Sequence, residues 1–264
     1  MTATLTRTDL EVVVLDALSA VLDPELDEPI TDLGFVRTVA VDDAGGVEVH
    51  LRLPTSFCSP NFAYLMASDS KDVLVALEWT RTVVVRLDDH HDSDKINAGL
   101  AADAGYRGTF GHEAEKDLEE LRTTFRRKAH TAAMERCLTA LLRAEPDREV
   151  ESAGEVCLGD LAPGPHTEAL LRRRAAVGLP LGAGARVLVD HTGRPPEDVP
   201  MALRRARSTR ISIDGNAHFC RGLLRTRYPG SEGDQVHRAE GAEPADAHYD
   251  PTFIPLSQIK EHIR

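Results

Sequence analysis

Two segments of alternating apolar and polar residues, joined by a turn, set the architecture of the first hundred residues. They are GFVRTVAV (34–41) and VEVHLRL (47–53), and such alternation is typical of half-buried strands. The intervening DDAGG (42–46) is a hairpin turn signal. Together they predict an antiparallel hairpin.

Helical patterns flank this hairpin on both sides. A helix is predicted over 9–22, ended by Pro24, and a second over 60–77. The apolar stripe of the first is formed by Val12, Leu15, Leu18 and Leu22; that of the second is formed by Phe62, Leu65, Met66, Val73 and Leu77.

A third strand and a third helix complete the pattern. TRTVVVRL (80–87) predicts the strand, and Ser93 is the expected N-cap of a short helix after it. A right-handed crossover makes the second and third strands parallel. The order α-β-β-α-β-α therefore predicts an α+β domain over residues 1–108 with a three-stranded mixed sheet.

The remainder of the chain has a different pattern. Residues 109–228 predict a helical and α/β region: a long helix (112–144), a helix (166–176), strands ARVLVD (185–190) and TRISID (209–214), and a helix (216–227). Residues 229–264 begin polar and rich in Gly, Pro and Ala, which predicts a flexible linker followed by a C-terminal anchor.

Charge is unevenly distributed along the chain. The formal net charge is -12; residues 1–100 carry 7 basic and 18 acidic residues, whereas 172–227 carry 12 arginines and 4 acids. We expect the basic segment to neutralise acidic surface of this chain or of a partner protein. The net negative charge and an aromatic content of 5% argue against a nucleic-acid partner.

The composition also indicates a compartment. No apolar run approaches the ~20 residues that span a bilayer, and the first residues lack a basic segment followed by an apolar one. The four cysteines contain no CxxC pair. We therefore expect a cytoplasmic protein without a membrane partner, with reduced thiols.

One of these cysteines lies in an unusual place. PTSFCSP (54–60) puts Cys58 between a strand and the start of a helix. The positive end of a helix favours thiolate over thiol, and a thiolate there serves as a metal ligand or a nucleophile. Topology brings the ends of the second and third strands to one edge, beside DPELDEPITDLG (23–34) and DDHHDSD (88–94).

Cys58, Glu25, His90 and His91 are therefore candidate ligands for iron, with zinc as the alternative. Adjacent histidines point to opposite sides, so at most one is expected to face the site. Asp23 has the alternative role of capping the turn before Pro24. Cys137 and Cys220 are interpreted as packing residues, and Cys157 is uninformative.

The same segments resemble a known family. DPELDEPITDLGFV followed by LRLPTSFCSP is similar to the iron–sulfur assembly domains of the SufT and PaaD type, over roughly residues 10–105. The resemblance implies that Cys58 is the reactive or cluster-ligating residue, with Asp23, Glu25 and Thr55 around it. Phe57 replaces a glycine that is common in the family, and DDHHDSD replaces a tryptophan-proline segment, which favours direct metal-ion handling as an alternative.

Three functions follow from these observations. The leading one is a non-enzymatic maturation factor that holds or transfers iron, or an iron–sulfur cluster, to a client apo-metalloprotein. PaaD-like relatives are associated with di-iron oxygenase systems, so the resemblance implies an oxygenase component as client. The alternatives are a thiol enzyme that uses Cys58 with His90 or His91, and a non-catalytic adaptor. No GxSxG or HExxH motif indicates an enzyme, and homo-oligomerisation stays open.

Overall fold

The predicted hairpin is present in the computed structural model, which describes residues 6–114 and 118–236. In its N-terminal half the elements are α1 (Arg7–Leu18), β1 (Leu22–Asp23), β2 (Glu28–Pro29), β3 (Val36–Val41), β4 (Gly46–Arg52), α2 (Pro60–Val75), β5 (Thr82–Asp88), α3 (Ser93–Ala101) and α4 (Gly105–Phe110). The C-terminal half contains α5 (Leu118–Ala144), α6 (Pro165–Ala176) and α7 (Val199–Arg227). Short 3₁₀ turns lie at Gly111–Glu113, Val150–Gly154, Leu158–Asp160 and Ser231–Asp234.

The sheet has the predicted topology. Strand β3 pairs antiparallel with β4, and β5 pairs parallel with β4, so the strand order is β3-β4-β5. Gly45 closes the hairpin turn at φ +85°, where a Cβ would lie 2.8 Å from the carbonyl oxygen of Trp79. The prediction of an α+β fold with a three-stranded mixed sheet is confirmed.

Helices α1, α2 and α3 bury their apolar faces with this sheet in what we call the N-terminal core. Its almost completely buried side chains include Val14, Leu18, Phe35, Val49, Leu74 and Ile96. Of the apolar stripe predicted for α1, only Leu18 is buried. The buried face of the helix consists of Val14 and Leu18, and Val12 is 60% exposed. The helix also ends at Leu18, so Leu22 lies in β1 and is exposed.

The start of α3 differs by one residue from the prediction. Asp92 occupies the N-cap position, without a side-chain cap hydrogen bond, and Ser93 is the first helical residue. The order of helices and strands from β3 to α3 is nevertheless the predicted one.

Both strand predictions in the C-terminal half are wrong. TRISID lies inside α7, a single helix of 29 residues. Its buried face passes through Arg210, Ile213 and Ala217 at helical spacing. Because a charged residue occupies this face, the apolar stripe that would have indicated a helix is interrupted.

The segment ARVLVD forms only an isolated bridge, between Cys157 and Arg186. Val187, Leu188 and Val189 are all buried, which an alternating strand would not allow. The buried Arg174 holds this segment by donating to the carbonyl oxygens of Pro180, at 3.0 Å, and Arg186, at 3.1 Å.

A second apolar cluster, the C-terminal core, joins α5, α6 and the first half of α7. It contains Ala133, Met134, Cys137, Leu138, Ala153, Val156, Leu158, Leu161, Leu170, Val187, Leu188 and Ala206. Helix α7 is about 43 Å long at 1.5 Å per residue. It therefore reaches both cores, through Ala206 at one end and through Ala217 and Leu224 at the other.

Arginines of the basic segment neutralise acidic residues of the N-terminal half, as expected from the charge distribution. Arg173 pairs with Asp27 at 2.5 Å, and Arg221 pairs with Glu28. The carboxylate and guanidinium groups of both pairs are largely buried. The basic segment thus helps to attach α6 and α7 to the sheet region.

The segment that begins the predicted linker is ordered in its first residues. Asp234 accepts a hydrogen bond from Arg52 at 2.5 Å, and the backbone N–H of Val236 donates to the carbonyl of Asp32 at 3.1 Å. The predicted C-terminal anchor lies outside the described residues. Within residues 6–114 and 118–236, no helix is long and apolar enough to cross a bilayer.

Candidate functional site

The Cys58 loop lies between the end of β4 and the start of α2. Pro54 is buried and fixes the loop at the strand end, whereas Phe57 is 82% exposed. Cys58 is half-buried, as a free thiol, two residues before the first helical residue Pro60. Helix α2 has 16 residues and no side-chain cap bond at its N-cap, so the thiol lies near an uncapped positive helix end.

Thr55 is the side chain that contacts the thiol directly. Its Oγ1 lies 3.5 Å from the Cys58 Sγ and accepts a hydrogen bond from the Phe57 N–H at 3.2 Å. The Phe57 N–H bonds to a lone pair of the Thr55 oxygen and does not use the hydroxyl proton. That proton remains available for a hydrogen bond to the sulfur. Thr55 is therefore the hydrogen-bond partner of the thiol at this position.

The two histidines lie on opposite sides, as the sequence indicated. His90 is buried, and its Nε2 donates to the carbonyl oxygen of Cys58 at 2.9 Å while its Nδ1 accepts from the Asp92 N–H at 3.1 Å. His91 is exposed, and its ring lies 5.9 Å from that of Phe57. In this arrangement His90 positions the loop through its backbone, with both ring nitrogens in use.

Asp23 caps the turn that begins at Pro24, which the sequence indicated as its alternative to a place around the cargo. Its Oδ1 accepts hydrogen bonds from the backbone N–H groups of Glu25, at 2.9 Å, and Leu26, at 2.8 Å. Burial raises the pKa of Asp23 to about 6, although these two bonds act in the opposite direction. Glu25 is partly exposed and accepts a hydrogen bond from the side chain of Asn216 at 3.3 Å.

Cys220 is a residue of this neighbourhood that the sequence reasoning interpreted as core. It lies on α7, three residues after Ala217 and four before Leu224, both of which are buried. Burial raises the pKa of the Cys220 thiol to about 12, with smaller contributions from Asp23, Cys58 and Glu25. These groups therefore share one region of the molecule, which no local spacing in the sequence could have indicated.

The end of α7 fastens the Cys58 loop. The guanidinium of Arg227 donates to the carbonyl oxygen of Leu53 at 3.1 Å, to Ser56 Oγ at 2.8 Å and to the carbonyl oxygen of Asp89. The Tyr228 hydroxyl adds a 3.1 Å bond to the Asp89 carboxylate. One arginine thus connects the loop, the end of β5 and α7.

The predicted metal ligands are not assembled into a closed set. Among the described residues, no group of three or more His, Cys, Asp or Glu side chains is arranged to hold a metal ion. A zinc site of the usual four-coordinate kind gains no support from this arrangement. The region instead offers thiols with neighbouring carboxylates.

A cleft of about 630 Å³ lies beside the site, between the sheet region and helices α5 and α6. Its lining residues include two carboxylates, Asp23 and Asp27, and two guanidinium groups, Arg122 and Arg173. Arg122 is paired with Asp69 and Arg173 with Asp27, so the cleft walls are held together by ion pairs. Cys58 is not among the residues that line this cleft.

These features define a protein with a small α+β unit that carries a thiol in the loop before a helix. Residues 11–86 match the family model described as iron-sulfur cluster assembly protein. Uncharacterized protein MJ1129 of Methanocaldococcus jannaschii is 36% identical over 87 residues, which cover 33% of this chain and 90% of that protein. The chain therefore belongs to the iron–sulfur cluster assembly protein family through its N-terminal region.

Two further proteins are similar to part of the chain. The iron-sulfur cluster carrier protein of Mycobacterium leprae is 34% identical over 98 residues, or 36% of this chain and only 25% of the carrier's length. A crystal structure of the domain of unknown function DUF59 from Bacillus anthracis is 23% identical, with a TM-score of 0.30, and covers 38% of this chain and 96% of that one.

Proposed function

We propose that this protein is a metal-centre maturation factor that holds an iron–sulfur cluster, or its iron, as cargo on Cys58 and passes it to a client apo-metalloprotein. The observation that carries the proposal is the position of Cys58: a half-buried thiol at an uncapped helix N-terminus, with Thr55 Oγ1 at 3.5 Å. Thiolate is the usual ligand of iron–sulfur clusters, and the N–H groups at a helix N-terminus interact favourably with negatively charged groups. Family membership supports the same cargo.

Asp23, Glu25 and His91 are proposed as auxiliary groups around the cargo, since they belong to the same region or the same loop edge. His90 has a different part, because its hydrogen bond to the Cys58 carbonyl orients the loop. His90 would become a ligand only after releasing Cys58 or Asp92.

The thiol-enzyme alternative requires an imidazole with a free nitrogen next to the thiol. Both ring nitrogens of His90 are hydrogen-bonded to the backbone, and His91 lies exposed against Phe57. A binding role therefore has more support than a catalytic one. A pure adaptor would not need Thr55 beside the sulfur.

The client is proposed to be an oxygenase component, on the basis of the PaaD-like resemblance. Four free cysteines are in keeping with a reducing compartment such as the cytoplasm. A cluster held by few ligands of this chain has coordination positions left for a client or for a second copy of the chain.

The test is anaerobic reconstitution of the full chain with ferrous iron, sulfide and dithiothreitol, followed by iron and sulfide analysis. Cys58→Ser should retain less than about a tenth of the wild-type iron, since loss of even an outer partner costs about 10–100-fold in metal affinity. Cys157→Ser is the matched control, because Cys157 is also half-buried but hydrogen-bonds to the Glu155 carbonyl. Equal iron in Cys58→Ser and wild type would refute the proposal.

A further inference from the structure

We infer that Cys220 is a second thiol ligand for the cargo, so that the site is formed by Cys58 of the loop and Cys220 of helix α7. This inference rests on the proposed function and adds the ligand that the C-terminal half supplies. The family match ends at residue 86, so Cys220 lies outside the matched segment.

The position of α7 brings Cys220 to the loop. Four residues before it, Asn216 donates to Glu25 at 3.3 Å; seven residues after it, Arg227 donates to Ser56 Oγ at 2.8 Å. Residue 220 therefore lies between two anchoring contacts, one on each side of the Cys58 region. Since α7 is continuous from Val199 to Arg227, the anchors fix its register over the loop.

The orientation of Cys220 on α7 supports the same placement. Ala217 and Leu224, three residues before and four after it, are buried in the N-terminal core. Residues at this spacing share a helix face. Cys58 and Cys220 both pack against that core, and both are half-buried free thiols. The two thiols therefore pack against one core, Cys58 from the loop and Cys220 from the helix.

Two thiolates form an incomplete ligand set for an iron–sulfur cluster, which typically takes four cysteines. Two positions then remain for client thiols. In transfer, a client thiol loses its proton and its sulfur bonds to a cluster iron; an iron–sulfur bond to Cys58 or Cys220 breaks, and the released thiolate takes up a proton. No electron is exchanged, so the step needs no oxidant or reductant.

The first test measures proximity without any cargo. Dibromobimane becomes fluorescent when both of its arms have alkylated thiols, so the reduced wild-type chain should give one bridged product. Peptide mass analysis should identify it as Cys58 linked to Cys220. The bridge should be absent from Cys58→Ser and from Cys220→Ala, and should persist in the control Cys157→Ser. Lack of a Cys58–Cys220 bridge in the wild type would overturn the inference.

The second test measures cargo retention. After reconstitution with ferrous iron and sulfide, Cys220→Ala should retain at least about tenfold less iron than wild type, since loss of even an outer partner of a metal site costs about 10–100-fold in affinity. Cys220→Ser gives a second variant, and thermal unfolding of both checks that the fold is kept. Wild-type iron and an unchanged absorption spectrum in a folded Cys220 variant would overturn the inference.

The two proposals fail in different ways. Retention in Cys220→Ala with loss in Cys58→Ser would remove only the second ligand and leave the proposed function standing. Retention in both variants would refute the proposed function as well.

Discussion

The two cores of this protein bury charge in different ways. The N-terminal core is a sheet packed under three helices with an apolar interior, and the buried charged residues of this half are Asp23, Glu28 and Arg52. The C-terminal region is crossed by charges: Glu135 and Arg174 are each only 1% exposed. Elements that pack around an apolar interior show a regular spacing of apolar residues in the sequence, whereas buried ion pairs interrupt that spacing.

The two halves should also differ in how much stability a single substitution in the interior removes. Apolar contacts can be lost singly, but a buried charge depends on a particular partner. Arg210 donates to Glu135 of α5 and, at 3.0 Å, to Asp214 of its own helix; Asp214 also accepts from Arg136 at 2.5 Å. This network joins α5 to α7, the helix that we infer supplies Cys220.

The largest expected effect is therefore on this network. Arg210→Ala removes the closer guanidinium from the buried carboxylate of Glu135 and leaves Asp214 with Arg136 alone, and should lower the free energy of unfolding by about 3–5 kcal/mol. Denaturant unfolding followed by circular dichroism measures it. Arg86→Ala is the control, because its pair with Glu48 is exposed and should contribute no more than about 1 kcal/mol. Equal losses in the two variants would show that the network is not a stabilising feature.

The same network explains why the sequence predicted the N-terminal half better. From β3 to α3 every element was recognised, since alternation, a Gly45 turn and helical spacing are local signals. TRISID was mistaken for a strand because Arg210 and Asp214 lie on the buried face of α7. The partner of Arg210, Glu135, is 75 residues away, and the partner of Asp214, Arg136, is 78 residues away; such pairings leave no local pattern.

The candidate site divides in the same way. Cys58 was predicted because a thiol loop before a helix is a local motif, and Thr55 was predicted from the family resemblance; in the structure their side chains lie 3.5 Å apart. Cys220 and Arg227 could not be, because the contacts of α7 with the loop join residues more than 170 apart, such as Arg227 and Ser56. The role of His90 likewise depends on a tertiary hydrogen bond, from its Nε2 to the Cys58 carbonyl oxygen, which the sequence does not show.

A second prediction tests whether α7 belongs to both cores. Leu224 lies in the N-terminal core and Leu170 in the C-terminal core, and both are fully buried. Each Leu→Ala substitution should cost about 3 kcal/mol through lost burial and the remaining cavity. Hydrogen exchange should show lower protection of β3–β5 in Leu224→Ala, and of α5 and α6 in Leu170→Ala. The same exchange pattern in both variants would mean that the two cores unfold as one unit.

The third prediction contrasts pH dependence in the two halves. The pKa of Asp23 rises from 3.8 to about 6 through burial, so its contribution to stability is full below about pH 4 and is lost as the pH rises to about 6. The pKa of His130 falls from 6.5 to about 4, mainly through burial, so its contribution is full above pH 6.5 and is lost as the pH falls to about 4. Each effect is at most about 3 kcal/mol.

Substitution separates these opposing effects. Relative to wild type, Asp23→Asn should gain stability as the pH rises from 4 to 6, and His130→Gln should gain stability as the pH falls from 6.5 to 4. Unfolding free energies measured at several pH values in this range provide the test. A variant whose difference from wild type is constant with pH would exclude the corresponding group as a source of pH dependence.

The smallest expected effects concern the helix caps that begin α1 and α7. Asp198 accepts from the Met201 N–H at 2.8 Å, whereas Thr6 accepts from the Asp9 N–H at 3.3 Å. Asp198→Ala should lower the free energy of unfolding by about 1 kcal/mol, and Thr6→Ala by about 0.5 kcal/mol, since the carboxylate cap is shorter and also interacts with the positive helix end. Asp198→Asn keeps the acceptor and should lose only a few tenths of a kcal/mol. Because α7 carries the second thiol and α1 carries no site residue, Asp198→Ala should also loosen cargo retention more than Thr6→Ala does. A larger loss in Thr6→Ala, in either stability or retained iron, would contradict the role of α7 as the element that joins the two cores at the site.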